Sequence, residues 1–223
     1  MRAAAVIPAG GSGVRMGSDV RKQYLSLGGE PLLLRTLRPF LNHPSVEWVI
    51  VALPPQDVHA PPFPLPEGAV VVPGGTERGD SVRAGLAAVP DGADVVLVHD
   101  GARPLVTRAV VDRVLEAAVR GVGAVAAVPV ADTLKRVDES RGITGTLDRG
   151  GLWCAQTPQG FPRRLLVDAY RRAGEEGVAA TDDAALVERY GGRVVVVEGD
   201  ARNLKVTRPE DLRIAEALLE LPS

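Results

Sequence analysis

A glycine-rich segment near the beginning of the chain has the composition of a phosphate-binding loop. Residues 8–17 read P-A-G-G-S-G-V-R-M-G, and Arg15 and Lys22 supply two cations within and just after it. Glycines let the backbone approach a ligand closely and turn several N–H groups toward one anion. A tight turn with two solvated cations is the alternative interpretation. The position directly after the first predicted strand of an α/β pattern favours a phosphate site.

A carboxylate is expected close to this loop. Asp100 and Arg103 follow a predicted strand over 95–99, and ligands of open α/β sheets bind at the carboxyl ends of the strands. Mg²⁺ typically takes one or two carboxylates and fills its remaining positions with phosphate oxygens and water. Asp100 is therefore a candidate Mg²⁺ ligand. A helix cap or a structural ion pair with Arg103 is the alternative.

A second turn has groups that can read a nucleotide base. Residues 74–82 (G-G-T-E-R-G-D-S-V) follow a predicted strand and open a helix. Backbone groups and short hydroxyls at such a turn can face the edge of a base. An ordinary strand-to-helix turn with Asp80 and Ser81 near the helix start explains the same pattern equally well.

The segments between these motifs alternate between short apolar runs and helical patterns. Runs rich in Val and Ile indicate strands that are covered on both faces. The predicted strands are 3–8, 47–53, 69–72, 95–99, 124–129 and 194–197. The predicted helices are 31–41, 78–88, 107–119, 163–173, 182–190 and 209–219, with Thr107 and Thr181 as N-caps and Pro209 in a first turn. The alternation predicts an α/β fold, with a doubly wound, mostly parallel sheet in a single domain over residues 1–223.

Two segments interrupt the alternation. Residues 54–68 contain six prolines and no periodicity, which predicts a surface loop. Residues 131–150 are polar, with β-type residues on both sides of a D-E-S-R-G turn at 138–142, which predicts a projecting β-hairpin. Because this arm has too little apolar content to bury itself, we expect it to pack against another surface, such as a second subunit.

Composition narrows the classes of function. The net charge is −2 over 223 residues, which argues against a general nucleic-acid or anionic-membrane surface. A single cysteine, Cys154, excludes an internal disulfide, and the first apolar run meets Pro8 too early for a signal peptide, so we expect a cytoplasmic protein. None of the three histidines is a convincing catalyst. His99 is expected to be structural, and His43 and His59 fall in predicted loops without acidic partners.

Two common nucleotide-binding patterns do not fit. A dinucleotide-binding dehydrogenase needs an acidic residue at the end of the second strand, about 20 residues after the loop, for the ribose hydroxyls. Here the second strand ends V-A-L-P-P at 51–55. A P-loop is excluded because no Gly-Lys-Ser/Thr follows the glycines.

Taken in order, the motifs resemble the 2-C-methyl-D-erythritol 4-phosphate cytidylyltransferase family of the non-mevalonate isoprenoid pathway. The likeness runs from residue 4 to about 212. The matching segments are 8–17, K-Q-Y at 22–24, 74–82, H-D-G-A-R-P at 99–104, D-T-L-K at 132–135, A-Q-T-P-Q-G-F at 155–161, T-D-D at 181–183 and N-L-K-V-T-R-P-E-D-L at 203–212. The first segment is common to many nucleotidyltransferases, and the ordered set is far more specific.

The resemblance implies a Rossmann-like nucleotidyltransferase fold and a role for each matching residue. CTP phosphates would be bound by Ala9, Gly10, Gly11, Ser12, Gly13, Arg15 and Lys22. Cytosine and ribose would lie against Gly74, Thr76 and Ser81, and Asp100 would hold Mg²⁺. The methylerythritol phosphate would be surrounded by Arg103, Thr133, Thr157, Thr181 and Lys205. Arg149, on the arm, would reach the acceptor phosphate in the other subunit of a homodimer.

Two positions depart from the commoner family pattern. Gly10 often is alanine in relatives, a change expected to matter little. Thr76 replaces an aspartate seen in some relatives, which puts a side-chain contact to the nucleotide in doubt.

The resemblance leaves two rival functions. A cytidylyltransferase for another polyol phosphate, such as ribitol 5-phosphate, would share the loop, the metal and the base site. A catalytically silent nucleotide-binding regulator would share the fold. The charges at 15, 22, 100 and 205 argue against the regulator, because a sensor has no need of a charge-complete transfer site.

Overall fold

The computed structural model describes residues 1–10, 21–179 and 181–221. These residues form eleven strands and six α-helices, with short 3₁₀ helices at Lys22–Tyr24 and Pro55–Asp57. The strands are β1 Ala3–Pro8, β2 Ser26–Leu27, β3 Glu30–Pro31, β4 Val46–Leu53, β5 Ala69–Pro73, β6 Val95–Val98, β7 Gly123–Pro129, β8 Lys135–Val137, β9 Ile143–Thr146, β10 Trp153–Pro162 and β11 Val194–Glu198. The helices are α1 Leu32–Leu41, α2 Arg78–Ala87, α3 Arg108–Ala118, α4 Arg163–Glu176, α5 Asp183–Arg189 and α6 Pro209–Leu219.

A seven-stranded sheet in the order β11-β7-β10-β6-β1-β4-β5 forms the centre of the molecule. Neighbouring strands are parallel except at β10, which runs antiparallel to both β6 and β7. The predicted mostly parallel sheet is therefore confirmed. Parallel strands point their carboxyl ends to one edge, so the loops after β1, β4, β5 and β6 meet there.

Helices cover both faces of this sheet. One apolar cluster packs α1 and α3 on one face, and a second packs α2, α4 and α5 on the other. The central strands are consequently buried on both sides, and every residue of β6 is buried. The nearly continuous apolar strands of the sequence follow from this double cover. No helix in the described ranges is both long enough and apolar enough to span a bilayer.

Strand β10 was not predicted. Its sequence, W-C-A-Q-T-P-Q-G-F-P, has neither an apolar run nor a clean alternation. The buried amides of this strand are stabilised by partners: Gln159 Nε2 donates to Asp182 Oδ2 at 2.8 Å, and Gln156 Nε2 donates to the Asp200 carbonyl at 2.8 Å. Polar residues can occupy an inner strand when each is hydrogen-bonded in this way.

All six predicted helices are present, with ends that differ by a few residues. The N-cap of α5 is Asp182, whose Oδ1 accepts from the Ala185 amide at 2.9 Å, so the prediction of Thr181 at this position was wrong. A carboxylate is an equally good cap and adds charge that favours the helix N-terminus. Thr107 does occupy the N-cap position of α3, although its side chain makes no capping hydrogen bond, and Pro209 begins α6 as predicted.

The segment over 131–150 forms an antiparallel arm. Strands β8 and β9 pair with each other in a separate two-stranded sheet, and most of the arm is exposed. Backbone pairing continues from its base into the sheet, where Val130 N donates to the Leu152 carbonyl and Trp153 pairs with Pro129. The predicted projecting hairpin is therefore present, and it extends the antiparallel pair of β7 and β10.

Candidate active site

Three cationic side chains converge on Asp100 just beyond the end of β6. Asp100 Oδ1 accepts from Arg78 Nε at 2.8 Å. Asp100 Oδ2 lies 2.8 Å from Lys205 Nζ and 3.8 Å from Arg103 Nε. We call these four residues the Asp100 cluster. The structure thus unites Asp100, Arg103 and Lys205 as candidate site residues and adds Arg78, to which sequence analysis gave no role.

The charge balance of the Asp100 cluster favours an anionic ligand. Burial alone raises the pKa of Asp100, but the charges of Arg78 and Lys205, and their hydrogen bonds, hold it well below its usual range. Asp100 is therefore ionised at neutral pH. With Asp183, which also pairs with Arg78, two carboxylates face three cations, so these five side chains together carry an excess of positive charge.

His99 and Thr157 support the Asp100 backbone from behind. Thr157 Oγ1 accepts from the Asp100 amide at 3.0 Å and lies 3.0 Å from His99 Nδ1, while His99 Nε2 lies 3.0 Å from the Arg103 carbonyl. Because a carbonyl only accepts, Nε2 carries the proton and the Thr157 hydroxyl donates to Nδ1. Burial lowers the pKa of His99 to about 4, against its hydrogen bonds and the charge of Asp100, so the ring is neutral. His99 is fully buried, and its contacts are those of a structural residue.

The segment that carries Lys205 is fixed against the Asp100 turn. Arg103 Nη1 donates to the Asn203 carbonyl at 2.7 Å, and the Val206 amide donates to the Ala102 carbonyl at 2.8 Å. The fully buried Asn203 donates from Nδ2 to the Thr157 carbonyl at 2.8 Å. Asn203 is thus a positioning residue that sequence analysis passed over, although the N-L-K motif contained it.

The described part of the glycine-rich loop lies beside Asp100. The Ala9 amide donates to the Ala52 carbonyl at 2.8 Å, and the Gly101 amide donates to the Pro8 carbonyl at 3.3 Å. Gln23 Nε2 donates to the Ala9 carbonyl at 2.6 Å, which places the adjacent Lys22 near the end of β1. The predicted phosphate ligands Gly11, Ser12, Gly13 and Arg15 lie outside the described residues.

Gly10 lies against the predicted base-reading turn. A Cβ atom at Gly10 would be 3.0 Å from Ser81 Oγ and 3.8 Å from Gly74 Cα. Ser81 Oγ in turn accepts from the Gly75 amide at 3.1 Å, and Ser81 is buried. An alanine at position 10 would therefore require Ser81 Oγ to move by a few tenths of an ångström. Thr76 is exposed at the same turn.

The remaining predicted ligands, Thr181, Thr133 and Arg149, are exposed residues outside the Asp100 cluster. Thr181 is exposed and lines a cavity of about 570 Å³ together with Arg78 and Asp182. Thr133 and Arg149 are exposed on the arm, where Arg149 Nη1 donates to the Ala131 carbonyl. In the described ranges of this single chain, neither arm residue is brought to Asp100.

The prediction that His43 lacks an acidic partner was wrong. His43 has an acidic partner after all, because its Nε2 lies 2.8 Å from Asp112 Oδ1 after the chain folds back from α1 to α3. The other partners of this pair are the Ser45 amide and Arg108, which are not members of the Asp100 cluster, so we interpret the contact as structural. Within the described ranges, no group of three or more His, Cys, Asp or Glu side chains could by itself hold a metal ion.

Comparisons with known proteins agree on one family. The family model described as 2-C-methyl-D-erythritol 4-phosphate cytidylyltransferase matches residues 3–221. The enzyme of that name from Syntrophus aciditrophicus is 44% identical over 222 residues, covering 97% of this chain and 95% of the relative. The bifunctional enzyme IspD/IspF from Anaeromyxobacter dehalogenans is 48% identical over 99% of this chain, which spans 58% of that protein. The crystal structure of the Thermus thermophilus cytidylyltransferase is 41% identical, with a TM-score of 0.85 over 99% of this chain and 100% of that one.

Proposed function

Because the chain belongs to the 2-C-methyl-D-erythritol 4-phosphate cytidylyltransferase family, we propose that the Asp100 cluster is where its two anionic substrates react. The protein transfers CMP from CTP to 2-C-methyl-D-erythritol 4-phosphate and releases pyrophosphate. An oxygen of the acceptor phosphate forms a bond to the α-phosphorus as the bond to the pyrophosphate oxygen breaks. The observation that carries this assignment is the convergence of Arg78, Arg103 and Lys205 on one ionised carboxylate.

Positioning and charge compensation are the catalytic work that this site has to do. A phosphate monoester is already largely ionised at neutral pH, so the attacking oxygen needs no strong general base. His99, the histidine that supports the Asp100 cluster, is neutral and buried, and both of its ring nitrogens are hydrogen-bonded, to Thr157 and to the Arg103 carbonyl. Cationic side chains instead offset the repulsion between acceptor and triphosphate where the new bond forms.

The individual roles follow from the contacts. Lys205 and Arg103 bind the acceptor phosphate, since both face Asp100 Oδ2 and the Lys205 side chain remains 38% exposed to a ligand. Lys22, next to the Ala9 carbonyl, binds the triphosphate together with the glycine-rich loop. Gly74 and Ser81 face the nucleoside. The cavity lined by Thr181 gives room for the methylerythritol hydroxyls.

The Asp100 carboxylate is suited to be one ligand of a Mg²⁺ ion, and the substrate phosphates would supply others. The carboxylate is ionised, and each oxygen has one cationic partner at hydrogen-bond distance, 2.8 Å, which leaves a further acceptor position on each. A single protein carboxylate is a common arrangement for Mg²⁺ bound to a nucleotide. When bound, Mg²⁺ supplies positive charge that neutralises the triphosphate and the leaving pyrophosphate.

An assay with a panel of acceptors tests the proposed function. Purified protein with CTP and Mg²⁺ should release pyrophosphate with 2-C-methyl-D-erythritol 4-phosphate and much more slowly with ribitol 5-phosphate. Faster turnover of ribitol 5-phosphate would reassign the acceptor. CTP binding by calorimetry without turnover of any polyol phosphate would instead indicate a nucleotide-binding regulator.

A homodimer formed through the arm is the second part of the proposal. Several large apolar side chains are exposed on or beside the arm, including Ile143 at 67% and Trp153 at 43%. Such a surface is stabilised when a partner covers it. Dimerisation would also bring Arg149, which lies on the arm, to the acceptor phosphate of the other subunit.

Mixing two inactive variants tests the role of Arg149 across the interface. We expect Arg149→Ala and Lys22→Ala homodimers to be nearly inactive, and their heterodimer to recover one working site. That site takes Lys22 from the Arg149→Ala subunit and Arg149 from the Lys22→Ala subunit. Two affinity tags separate the heterodimer, and pyrophosphate release measures its activity. A purified heterodimer as inactive as its parents would place Arg149 within its own subunit's site or outside catalysis.

The cytoplasm is the proposed location. The single cysteine, Cys154, is exposed and unpaired, as is usual in a reducing compartment. Cell fractionation that recovers the protein outside the cytosolic fraction would contradict this location.

A further inference from the structure

Arg78 joins two carboxylates that belong to different parts of the fold. Its Nε donates to Asp100 Oδ1 at 2.8 Å, and its Nη2 donates to Asp183 Oδ2 at 2.8 Å. Asp183 is fully buried at the start of α5 and also accepts from the Tyr170 hydroxyl of α4 at 2.5 Å. The Arg78 guanidinium thus connects the end of β6 to the starts of α2 and α5, and Asp183 extends this connection to the middle of α4.

The contacts of Arg78 are those of a fixed element. Burial lowers the pKa of Arg78, but the charges of Asp183 and Asp100 hold it above its usual value. A planar guanidinium presents several donors in fixed directions, so it can hold two carboxylates at once, whereas an ammonium is a single point of charge. The Tyr170 hydroxyl takes the other oxygen of Asp183, which leaves Asp183 little freedom to turn.

The position of Arg78 in the chain is also unfavourable without these partners. Arg78 is the first residue of α2, where the helix macrodipole disfavours a cation. Its two ion pairs supply the negative charge that compensates for this placement. A residue kept at a helix start against the local electrostatics is therefore explained by what it binds.

We propose that Arg78, held in place by Asp183 and Tyr170, is a positioning residue that fixes the carboxylate of Asp100. By occupying Oδ1 it sets the direction of Oδ2, the oxygen that faces Lys205 and Arg103. This inference rests on the proposed function, in which Asp100 faces the substrate phosphates. It gives Arg78 no direct part in bond making.

The Arg78→Lys variant tests the proposal against a matched control. Lysine keeps the charge but cannot bridge both carboxylates, so the orientation of Asp100 is lost. We expect kcat to fall by at least ~10-fold while KM for CTP stays within ~3-fold, because an interaction with the reacting centre is affected more than uniform binding. The control is Arg163→Lys, since Arg163 is likewise the first residue of a helix and pairs with Asp91 at 2.6 Å.

Calorimetry supplies a readout independent of turnover. CTP affinity measured without Mg²⁺ should be the same in Arg78→Lys and the wild type, whereas the increase in affinity that Mg²⁺ produces should be smaller in the variant. The Arg163→Lys control should match the wild type in both measurements. The thermal midpoint of each variant reports whether its fold is intact.

The outcomes separate this inference from the proposed function. A kcat within ~3-fold of the wild type in a folded Arg78→Lys variant overturns the positioning role. If Arg78→Lys does not fold, the Tyr170→Phe variant tests the proposal instead, because it removes the hydroxyl that holds Asp183. Tyr190→Phe, which removes a hydroxyl bonded to Glu176, is its control. An unchanged kcat in Tyr170→Phe then overturns the proposal. A wild-type protein that turns over no acceptor contradicts the proposed function, and the calorimetric comparison still tests the role of Arg78.

Discussion

The Lys205→Ala variant will turn over at least ~10²-fold more slowly than the wild type, by analogy with the loss of one donor from an oxyanion site. Lys205 Nζ lies 2.8 Å from Asp100 Oδ2, on a segment fixed by Arg103 and Asn203. Removing the ammonium leaves the acceptor phosphate facing the triphosphate with less compensating charge. We expect Lys22→Ala to have an effect of the same size at the triphosphate. Steady-state pyrophosphate release at saturating substrates measures both.

Lys135→Ala is the matched control for these two variants. The chain contains only three lysines, and Lys135 is exposed on the arm, where its Nζ donates to Thr146 Oγ1 at 2.6 Å. The control should keep nearly all of its turnover. Circular dichroism should show that Lys205→Ala is folded, because Arg78 and Arg103 still balance Asp100. Near wild-type turnover in either site variant would remove that lysine from the mechanism.

The turnover of the Asp100→Asn variant should be about 10²–10³-fold lower than that of the wild type, whereas its affinity for CTP should be retained. The charge stabilisation that a metal supplies is worth several kcal/mol, and each 1.4 kcal/mol is tenfold in rate. The amide keeps the shape of Asp100 but is a poor ligand for Mg²⁺ and a weaker partner for Arg78 and Lys205. Because these cations remain, the triphosphate can still bind. Titrations of CTP with and without Mg²⁺ measure the affinity, and pyrophosphate release measures turnover.

A matched change at a surface carboxylate completes this test. Asp91→Asn is suitable because Asp91 is exposed and also pairs with an arginine, Arg163. This control should respond to Mg²⁺ as the wild type does. An Asp100→Asn protein whose turnover at saturating Mg²⁺ is within ~10-fold of the wild type would show that Asp100 is not the metal ligand on which turnover depends.

The fold was largely predictable from the sequence because its parallel strands carry a strong signal. Runs such as Val95–Val98 are buried on both faces, so selection for burial fills them with Val and Leu. Strand β10 was not predicted because its buried residues Gln156 and Gln159 are polar. Their burial depends on specific hydrogen bonds, which the local pattern of apolar and polar residues does not reveal. The cap of α5 was misplaced by one residue because Thr181 and Asp182 are both good caps.

The site was predictable only where its residues follow strands. Asp100 lies two residues beyond the carboxyl end of β6, so the rule that ligands bind at the carboxyl ends of strands finds it directly. Arg78 was missed because its partners Asp100 and Asp183 are 22 and 105 residues away, and sequence spacing does not show that contact. Its place at a helix start is a weak signal, since α3 and α4 also begin with arginine. The proposed role of Arg149 requires a second subunit, so it follows from the family resemblance and not from contacts within the chain.

The arm emerges from two hydrogen-bonded strands of the central sheet, and not from a surface loop. Backbone hydrogen bonds join Leu147 to Leu134 in the arm and Val130 to Leu152 at its root, where the chain continues into β7 and β10. The strand that returns from the arm, β10, is thus also the strand whose Thr157 holds the amide of Asp100. Residues added at the tip would lengthen the arm without changing its direction, whereas a β-bulge at the root would change the direction of the whole arm.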